Sequence, residues 1–420
     1  MPPPVLKATL QPLDLLSILP PVIIQNILCR LPIREAIQTC VLSRRWRYKW
    51  CSMTRLKFSD DCVKLRADDD DASFDRIFVN FVDRVLLHHQ GPVHEITIAT
   101  KAKPCLADLN QWVHFASWNE VRELSLQFLT GSNVEAPSSL FLCSKLTSLH
   151  LSACKVRELP VGFKGFMFLK TLRFYYGEIP CSSLQKLISS CAILESLEIR
   201  ECHPKALDVY APLLKRLHLE GEVAEYYLEE TPLLRELKVM ICSDVCNVAL
   251  VKYLNCIPSV EKLTCSSYFL KGWSQAASPS MGTVTYNHLR FIELDVNFED
   301  PAVVAQLLKL MIRSPVLENV CIVPPIRRKL REVAMDSQFW CEARGVGRKF
   351  SRLKDVRITT RGSANEREFM KLVLANSPTL VKMMVNFGCC SEDKRKIAKE
   401  ELSRCHWESR EIEVVFTTFL

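Results

Sequence analysis

Cysteine and histidine are the residues best able to do chemistry in this sequence, which holds 19 Cys and 9 His. A structural zinc site needs closely spaced pairs of such ligands, as in two C-x-x-C units. The sequence has no pair of C-x-x-C units, and the vicinal Cys389-Cys390 has only the distant Cys405-His406 nearby. We therefore predict no metal site and no cofactor.

Catalytic motifs are also absent from the sequence. Gly345-Val346-Gly347 lacks the third glycine and the preceding strand of a dinucleotide-binding turn, and neither a G-x-S-x-G elbow nor a P-loop lysine occurs. The acidic run from Asp68 to Asp71 predicts a loop, because a calcium site needs ligands that alternate along a loop with a turn glycine. The sequence predicts that the chain is not an enzyme.

The charge of the chain limits its partners. Lys and Arg number 55 against 47 Asp and Glu, which gives a net charge of +8. This excess is small for 420 residues, so we expect no nucleic-acid partner. The sequence shows neither a signal peptide nor an apolar stretch of about 18 residues, so we expect no membrane partner. These features predict residence in the cytosol or nucleus, with reduced cysteines.

Basic residues concentrate in one stretch near the C-terminal third of the chain. A solvated face is the simpler interpretation, and a nuclear import signal or a patch for an acidic partner is the alternative. The stretch contains Arg327, Arg328, Lys329, Arg331, Arg344, Arg348, Lys349, Arg352 and Lys354.

An apolar pattern of the form L-x-x-L-x-L recurs through the middle of the chain. Successive copies start 20 to 29 residues apart, the spacing typical of leucine-rich repeats. One such unit is too small to bury its apolar face alone, so stacked neighbours must build a continuous core. The copies begin at Val121, Leu146, Leu169, Leu194, Leu214, Leu234, Val260, Leu289 and Leu317, with a weaker one at Val93.

Each copy predicts a short strand whose second and third apolar residues face inward, because alternate strand residues point to the same side. The repeat also accounts for some of the cysteines. Cys154, Cys202 and Cys242 each follow the last apolar strand position by three residues, where the repeat has Asn or Cys in a turn. We predict that these three thiols are small structural side chains.

The N-terminal part predicts three short helices. Ile24, Ile27, Leu28 and Leu31 form one helical stripe, and Pro32 ends that helix. A second stripe runs from Ile33 to Val41, and Ser43 is a plausible N-cap of a third helix that carries Trp46 and Trp50. A unit of this size cannot bury all of its apolar surface by itself. Part of that surface is therefore predicted to dock on another chain. The alternative is that it packs within the protein.

These N-terminal residues resemble the F-box. The order Leu19-Pro20, then a helix ending at Leu31-Pro32, then the segment EAIQTCVLSRRWRYKW is similar to plant F-box proteins that carry leucine-rich repeats and a C-terminal FBD region. The segment EFMKLVLANSPTLVKMMV resembles the FBD region itself. The resemblance implies an α/β chain, with a three-helix F-box followed by a leucine-rich-repeat solenoid and a capping FBD region.

The implied domains are an F-box over 14–55, a helical linker over 56–92, leucine-rich repeats over 93–340 and an FBD region over 353–420. The resemblance also implies that the F-box binds a Skp-type adaptor. The sequence does not separate the residues that touch the adaptor from those that pack inward. The set assigned to docking and its support is Leu19, Pro20, Ile24, Ile27, Leu28, Leu31, Pro32, Val41, Leu42, Trp46 and Trp50.

The function implied by this resemblance is that of a receptor subunit in an SCF-type cullin ubiquitin ligase. The repeats would hold an unknown target protein, and tethering near the ubiquitin-conjugating enzyme would replace an active site. The alternative is a repeat-based scaffold that binds a Skp-type adaptor without promoting ubiquitination.

Overall fold

A computed structural model describes residues 18–64, 70–129, 131, 134–202, 204, 206–221, 225–229, 231–241, 259–276, 285–325, 335–345, 350–388 and 390–418. The chain divides into two compact units, Met1–Lys155 and Val156–Leu420. None of the helices in this described part combines the length and apolarity that crossing a membrane requires.

The first unit joins a small helical segment to a parallel sheet. Its α-helices are α1 (Pro21–Leu28), α2 (Ile33–Gln38), α3 (Asp71–His88) and α4 (Leu106–Trp118). Its strands are β1 (Arg55–Ser59), β2 (Glu95–Thr100), β3 (Glu123–Phe128), β4 (Val134–Glu135), β5 (Ser148–Ser152) and β6 (Cys154–Lys155). Strands β1, β2, β3 and β5 pair in parallel in that order, and β4 pairs with β6.

The second unit continues the same strand pattern. Its helices are α5 (Cys181–Ser189), α6 (Ser267–Ala276), α7 (Pro301–Ile312), α8 (Ser337–Gly345), α9 (Ala364–Asn376) and α10 (Glu392–Arg404). Its strands are β7 (Thr171–Tyr175), β8 (Ser196–Arg200), β9 (Ala206–Tyr210), β10 (Arg216–Gly221), β11 (Glu225–Glu229), β12 (Glu236–Ile241), β13 (Lys262–Cys265), β14 (Phe291–Asp295), β15 (Asn319–Val323), β16 (Asp355–Thr360), β17 (Lys382–Phe387) and β18 (Glu413–Thr417).

The long ladder of the second unit is parallel throughout. It runs from β7 to β8 and β10, then through β12 to β18 in chain order, while β9 and β11 form a separate parallel pair. Strand β8 illustrates the packing, because Leu197 and Ile199 are buried while Glu198 and Arg200 remain partly exposed. The predicted inward positions of the repeat are thereby confirmed, together with the α/β fold class.

Helix ends follow from local side-chain chemistry. Asp70, the third residue of the acidic run, caps α3 by accepting a 2.8 Å hydrogen bond from the backbone N–H of Ser73. Ser363 and Glu366 form a reciprocal capping box at the start of α9, where buried Glu366 also accepts a 2.7 Å hydrogen bond from Thr360. Part of the run predicted as a loop is therefore a helix start, since a carboxylate satisfies the free N–H groups there.

Two segments differ from the sequence-based expectation. The segment 56–92, predicted to be a helical linker, contains most of β1 as well as α3, because buried Leu56 and Phe58 alternate with exposed neighbours and β1 pairs with β2. The predicted third helix is a series of turns that ends in a 3₁₀ turn at Lys49–Ser52. Its hydrogen bonds span three residues, as from Trp46 to the carbonyl of Ser43, which is the tighter 3₁₀ spacing.

A matched pair of glycines tests the packing of the loop before β7. Gly162 and Gly165 both have positive φ, +86° and +94°, but only a Cβ at Gly165 would strike a neighbour, the backbone carbonyl of Ser190. We expect Gly165→Ala to lower the free energy of unfolding more than Gly162→Ala, whose cost is the left-handed backbone alone, roughly 1–2 kcal/mol. Denaturant unfolding of both variants measures the difference, and equal losses would show that the Ser190 contact imposes no constraint.

Candidate functional site

The N-terminal helical unit consists of helices α1 and α2 and the turns that follow them, up to Ser52. Helix α1 packs on the 3₁₀ turn Lys49–Ser52, and α2 packs on the same turn and on β1. Pro20 and Pro32 are the N-cap residues of the two helices, and Pro21 is the first residue of α1, where proline leaves no N–H unsatisfied. Gln25 on α1 donates a 2.9 Å hydrogen bond to the carbonyl of Ser52, which ties the first helix to the turn.

The structure sorts the predicted docking residues by exposure. Ile24, Leu28 and Trp46 are buried, so they form the core of the unit. Leu19, Leu31 and Trp50 are half-buried, and Pro20 and Pro32 are exposed. Ile27, Val41 and Leu42 are exposed apolar side chains, with Val41 at 84% and Leu42 at 53%.

Sequence periodicity missed further exposed apolar residues in this unit. Val22 is 66% exposed, and Ile18, Ile23 and Tyr48 are also exposed. Most of helix α1 is apolar on more than one side, so spacing alone could not mark which side is buried. We define the exposed apolar surface as Val22, Ile23, Ile27, Val41 and Leu42.

The second candidate site lies on the strands of the second unit, on the face opposite their buried leucines. A depression of about 220 Å³ lies over β8, β10, β12, β13 and β14. We call it the polar depression and define it by the side chains of Glu198, Arg200, Arg216, His218, Lys238 and Thr264, with Glu236, Lys262 and Glu293 beside them.

A dense hydrogen-bond network forms one side of the polar depression. Glu198 accepts hydrogen bonds from Arg173 at 3.0 Å, from Arg200 at 3.1 Å and from the hydroxyl of Tyr175. Burial alone would raise the pKa of Glu198, but the hydrogen bonds from Tyr175 and Arg173 hold its pKa below the ordinary value. Arg200 also donates to Nδ1 of His218 at 3.0 Å and stacks on the Tyr175 ring.

His218 is neutral within this network. It is only 8% exposed, and burial followed by the charges of Arg200 and Lys238 lowers its pKa to about 4. Because Nδ1 accepts from Arg200, the ring proton lies on Nε2. Nε2 is 3.3 Å from a carboxylate oxygen of Glu220, but it has no partner in hydrogen-bond geometry among the described residues.

The cysteines support the structural role predicted for them. The Sγ of Cys154 lies 3.8 Å from the carbonyl oxygen of Leu126, and that of Cys202 lies 3.2 Å from the carbonyl oxygen of Phe174, so each thiol donates to a backbone carbonyl of a strand. Burial raises the pKa of Cys154 to about 12 and that of Cys202 to about 11. Cys242, Cys389 and most of the basic stretch lie outside the described residues. Within the described residues, no cluster of three metal-ligating side chains occurs.

Comparison with known proteins identifies the family. The family model described as "FBD-associated F-box protein At5g56370, LRR repeats" matches residues 109–322, and the F-box domain model matches residues 16–58. The F-box/FBD/LRR-repeat protein At1g13570 of Arabidopsis thaliana is 37% identical over 403 residues, which cover 93% of this chain and 95% of that protein. The chain belongs to the F-box/FBD/LRR-repeat family.

Two more distant F-box proteins agree with this assignment. The F-box/LRR-repeat protein At3g03360 of Arabidopsis thaliana is 26% identical, with 87% of this chain and 83% of that protein covered. The F-box/FBD/LRR-repeat protein At5g56420 of Arabidopsis thaliana is 32% identical over 54% of this chain and 55% of that protein. A solved leucine-rich-repeat ectodomain of the Arabidopsis receptor kinase GASSHO1/SCHENGEN3 is 10% identical, covers 78% of this chain and 53% of its own, and has a TM-score of 0.23. The two family models and the F-box relatives indicate no enzyme family.

Two neighbouring residues of α1 test the division between core and surface. We expect Leu28→Ala to cost about 2–5 kcal/mol of local stability, because it leaves a cavity in a fully buried position. Ile27→Ala removes a side chain of similar size from an exposed position and is expected to cost much less. Hydrogen exchange of peptides within residues 18–64 measures both, and similar acceleration in the two variants would contradict the division.

The depressed pKa of His218 predicts a pH-dependent stability. His218 binds a proton near pH 6.5 in the unfolded chain and near pH 4 in the folded chain. The folded state is therefore fully stable with respect to this histidine above pH 6.5, and it loses stability as the pH falls toward 4, because the unfolded chain then binds more protons. The loss is at most about 3 kcal/mol at 1.36 kcal/mol per pKa unit. We expect His218→Gln to flatten this part of the profile, as measured by denaturant unfolding at pH 7 and pH 4.5. Parallel profiles for the two proteins would show that His218 titrates normally.

Proposed function

We propose that the chain is the target-binding receptor of an SCF-type cullin ubiquitin ligase. The N-terminal unit, predicted as residues 14–55, would bind a Skp-type adaptor, and the repeats over 93–340 would bind a target protein. The FBD region over 353–420 would cap the repeats. The proposed site of action is the cytosol or nucleus, and the role is positioning rather than catalysis.

The observation that carries this proposal is the exposed apolar surface. Val22, Ile23 and Ile27 lie on α1, and Val41 and Leu42 follow α2. Small soluble units rarely keep so many large apolar side chains in water, so a partner that covers them is the physical expectation. An amphipathic helix or helical groove of an adaptor has the matching chemistry.

The buried residues of the predicted docking set would then act indirectly. Ile24, Leu28 and Trp46 support the surface by fixing α1 on the turns behind it. Charge substitution at Leu28 would unfold the unit, because an unpaired carboxylate would enter the core. Loss of adaptor binding in such a variant would not identify a contact.

Substitutions confined to exposed positions give the sharper test. We expect Val41→Asp combined with Leu42→Asp to abolish co-purification with a Skp-type adaptor, because the new carboxylates would lose their water at the interface. Val161→Asp, at a fully exposed valine of the second unit, is the control for the charge change and should bind normally. Retained adaptor binding by the folded double variant would refute the assignment of this surface.

The scaffold alternative predicts the same adaptor contact but a different outcome. Reconstitution of the cullin complex with a captured partner separates the two functions. A receptor should promote ubiquitin transfer to that partner, and the Val41/Leu42 double variant should lose the transfer. Stable binding without transfer would favour the scaffold.

A further inference from the structure

One row of side chains crosses the polar depression, and its ion pairs stop at Lys238. Strand register places Glu198, His218, Lys238, Thr264 and Glu293 side by side on five neighbouring strands. At one end of the row, Glu198 has cationic partners within hydrogen-bond distance. Lys238 instead lies between neutral His218 and Thr264, and no carboxylate within the described part of the chain pairs with it.

The next row adds two cations with no ion pair. Arg216, Glu236 and Lys262 are in register on β10, β12 and β13. Both Arg216 and Lys262 are exposed, and neither forms an ion pair with a described carboxylate, although Lys262 stacks on the ring of Phe291 at 4.9 Å. One carboxylate, Glu236, is thus placed between two cations with a third cation beside it.

The carboxylates at the two ends of the depression are already engaged. Glu198 is held by Arg173, Arg200 and Tyr175, and Glu293 accepts a 3.4 Å hydrogen bond from Thr264. The Nε2–H of His218 is not free for a ligand carboxylate in the same way, because an oxygen of Glu220 lies 3.3 Å from it, although not in hydrogen-bond geometry. The positive charge that no described carboxylate pairs with therefore lies in the middle of the depression, on Arg216, Lys238 and Lys262.

We propose that the polar depression binds the acidic side chains of an extended segment of the target protein. The inference rests on the proposed function only in assigning the segment to a target. Arg216, Lys238 and Lys262 span two strand spacings, about 10 Å, which exceeds the reach of one carboxylate. Alternate residues of an extended chain lie roughly 7 Å apart on one side, so a segment with acidic residues at alternate positions fits the three cations.

The probe for this proposal is a fluorescein-labelled peptide of alternating Glu and Gly, with a Gln–Gly peptide as its uncharged counterpart. Binding to the full-length chain is followed by fluorescence anisotropy. We expect the Glu–Gly peptide to bind and the Gln–Gly peptide to bind far less. Lys238→Glu should weaken binding by roughly tenfold, because it replaces a charge-assisted contact with a repulsive one.

Two further variants make the outcome specific. Lys309→Glu makes the same charge change on the exposed side of α7, away from the depression, and should leave affinity within about twofold. Glu236→Gln removes the carboxylate that competes for Arg216 and Lys262, so it should strengthen binding. Equal losses of peptide affinity in Lys238→Glu and Lys309→Glu would overturn the proposal, and so would weaker peptide binding by Glu236→Gln. Displacement of the peptide by an equal concentration of inorganic phosphate would also overturn it.

Co-purification with the adaptor separates a failure of this site from a failure of the proposed function. All three variants should still co-purify with a Skp-type adaptor, because the substitutions lie outside the N-terminal unit. Peptide binding with the expected signs but no adaptor binding by the unaltered chain would refute the receptor function and keep the acidic-segment site. Adaptor binding without peptide binding would refute this site alone.

Discussion

The structure depends on one packing constraint, which is that no single repeat can bury its own apolar side chains. In the pairing of β8 with β10, Leu197 lies beside Leu217 and Ile199 lies beside Leu219, with no shift in register. The same alignment recurs along the parallel ladders, so each inward side chain is covered by the equivalent side chain of the next strand. A register shift of one residue would turn these leucines to water and bring charged residues inward, which fixes the alignment strongly.

This constraint leaves the other face of the strands free to vary. Side chains at the outward positions are also in register, so their charges meet neighbours about 4.8 Å away. Arg173, Glu198 and Arg200 show one result, in which opposite charges and hydrogen bonds satisfy each other. The polar depression shows the other, in which Lys238 meets only neutral neighbours in its row. The apolar face therefore specifies the fold, and the outward face carries the differences that a ligand can recognise.

The sequence predicted the parts of the structure that depend on local periodicity. Alternation of two apolar residues marks a strand wherever it occurs, so the L-x-x-L-x-L copies identified β5, β8 and their equivalents. Exposure in the N-terminal unit was not predictable, because α1 is apolar on several sides and its packing on the turn Lys49–Ser52 decides which side is inward. The row from Glu198 to Glu293 was equally hidden, since it joins residues from five copies whose exact register requires the pairing of the strands.

The chain thus offers two surfaces of opposite chemistry, and each implies its own kind of association. Burial of Val41 and Leu42 would release water from apolar surface, an effect that salt does not screen. Contacts of Lys238 and Arg216 with carboxylates would be exposed ion pairs, which weaken as salt rises over a Debye length of about 8 Å at physiological ionic strength. An adaptor held by the first surface would stay bound under conditions that release a segment from the second. In the proposed receptor, the attachment of the adaptor would therefore be less sensitive to salt than the binding of the target.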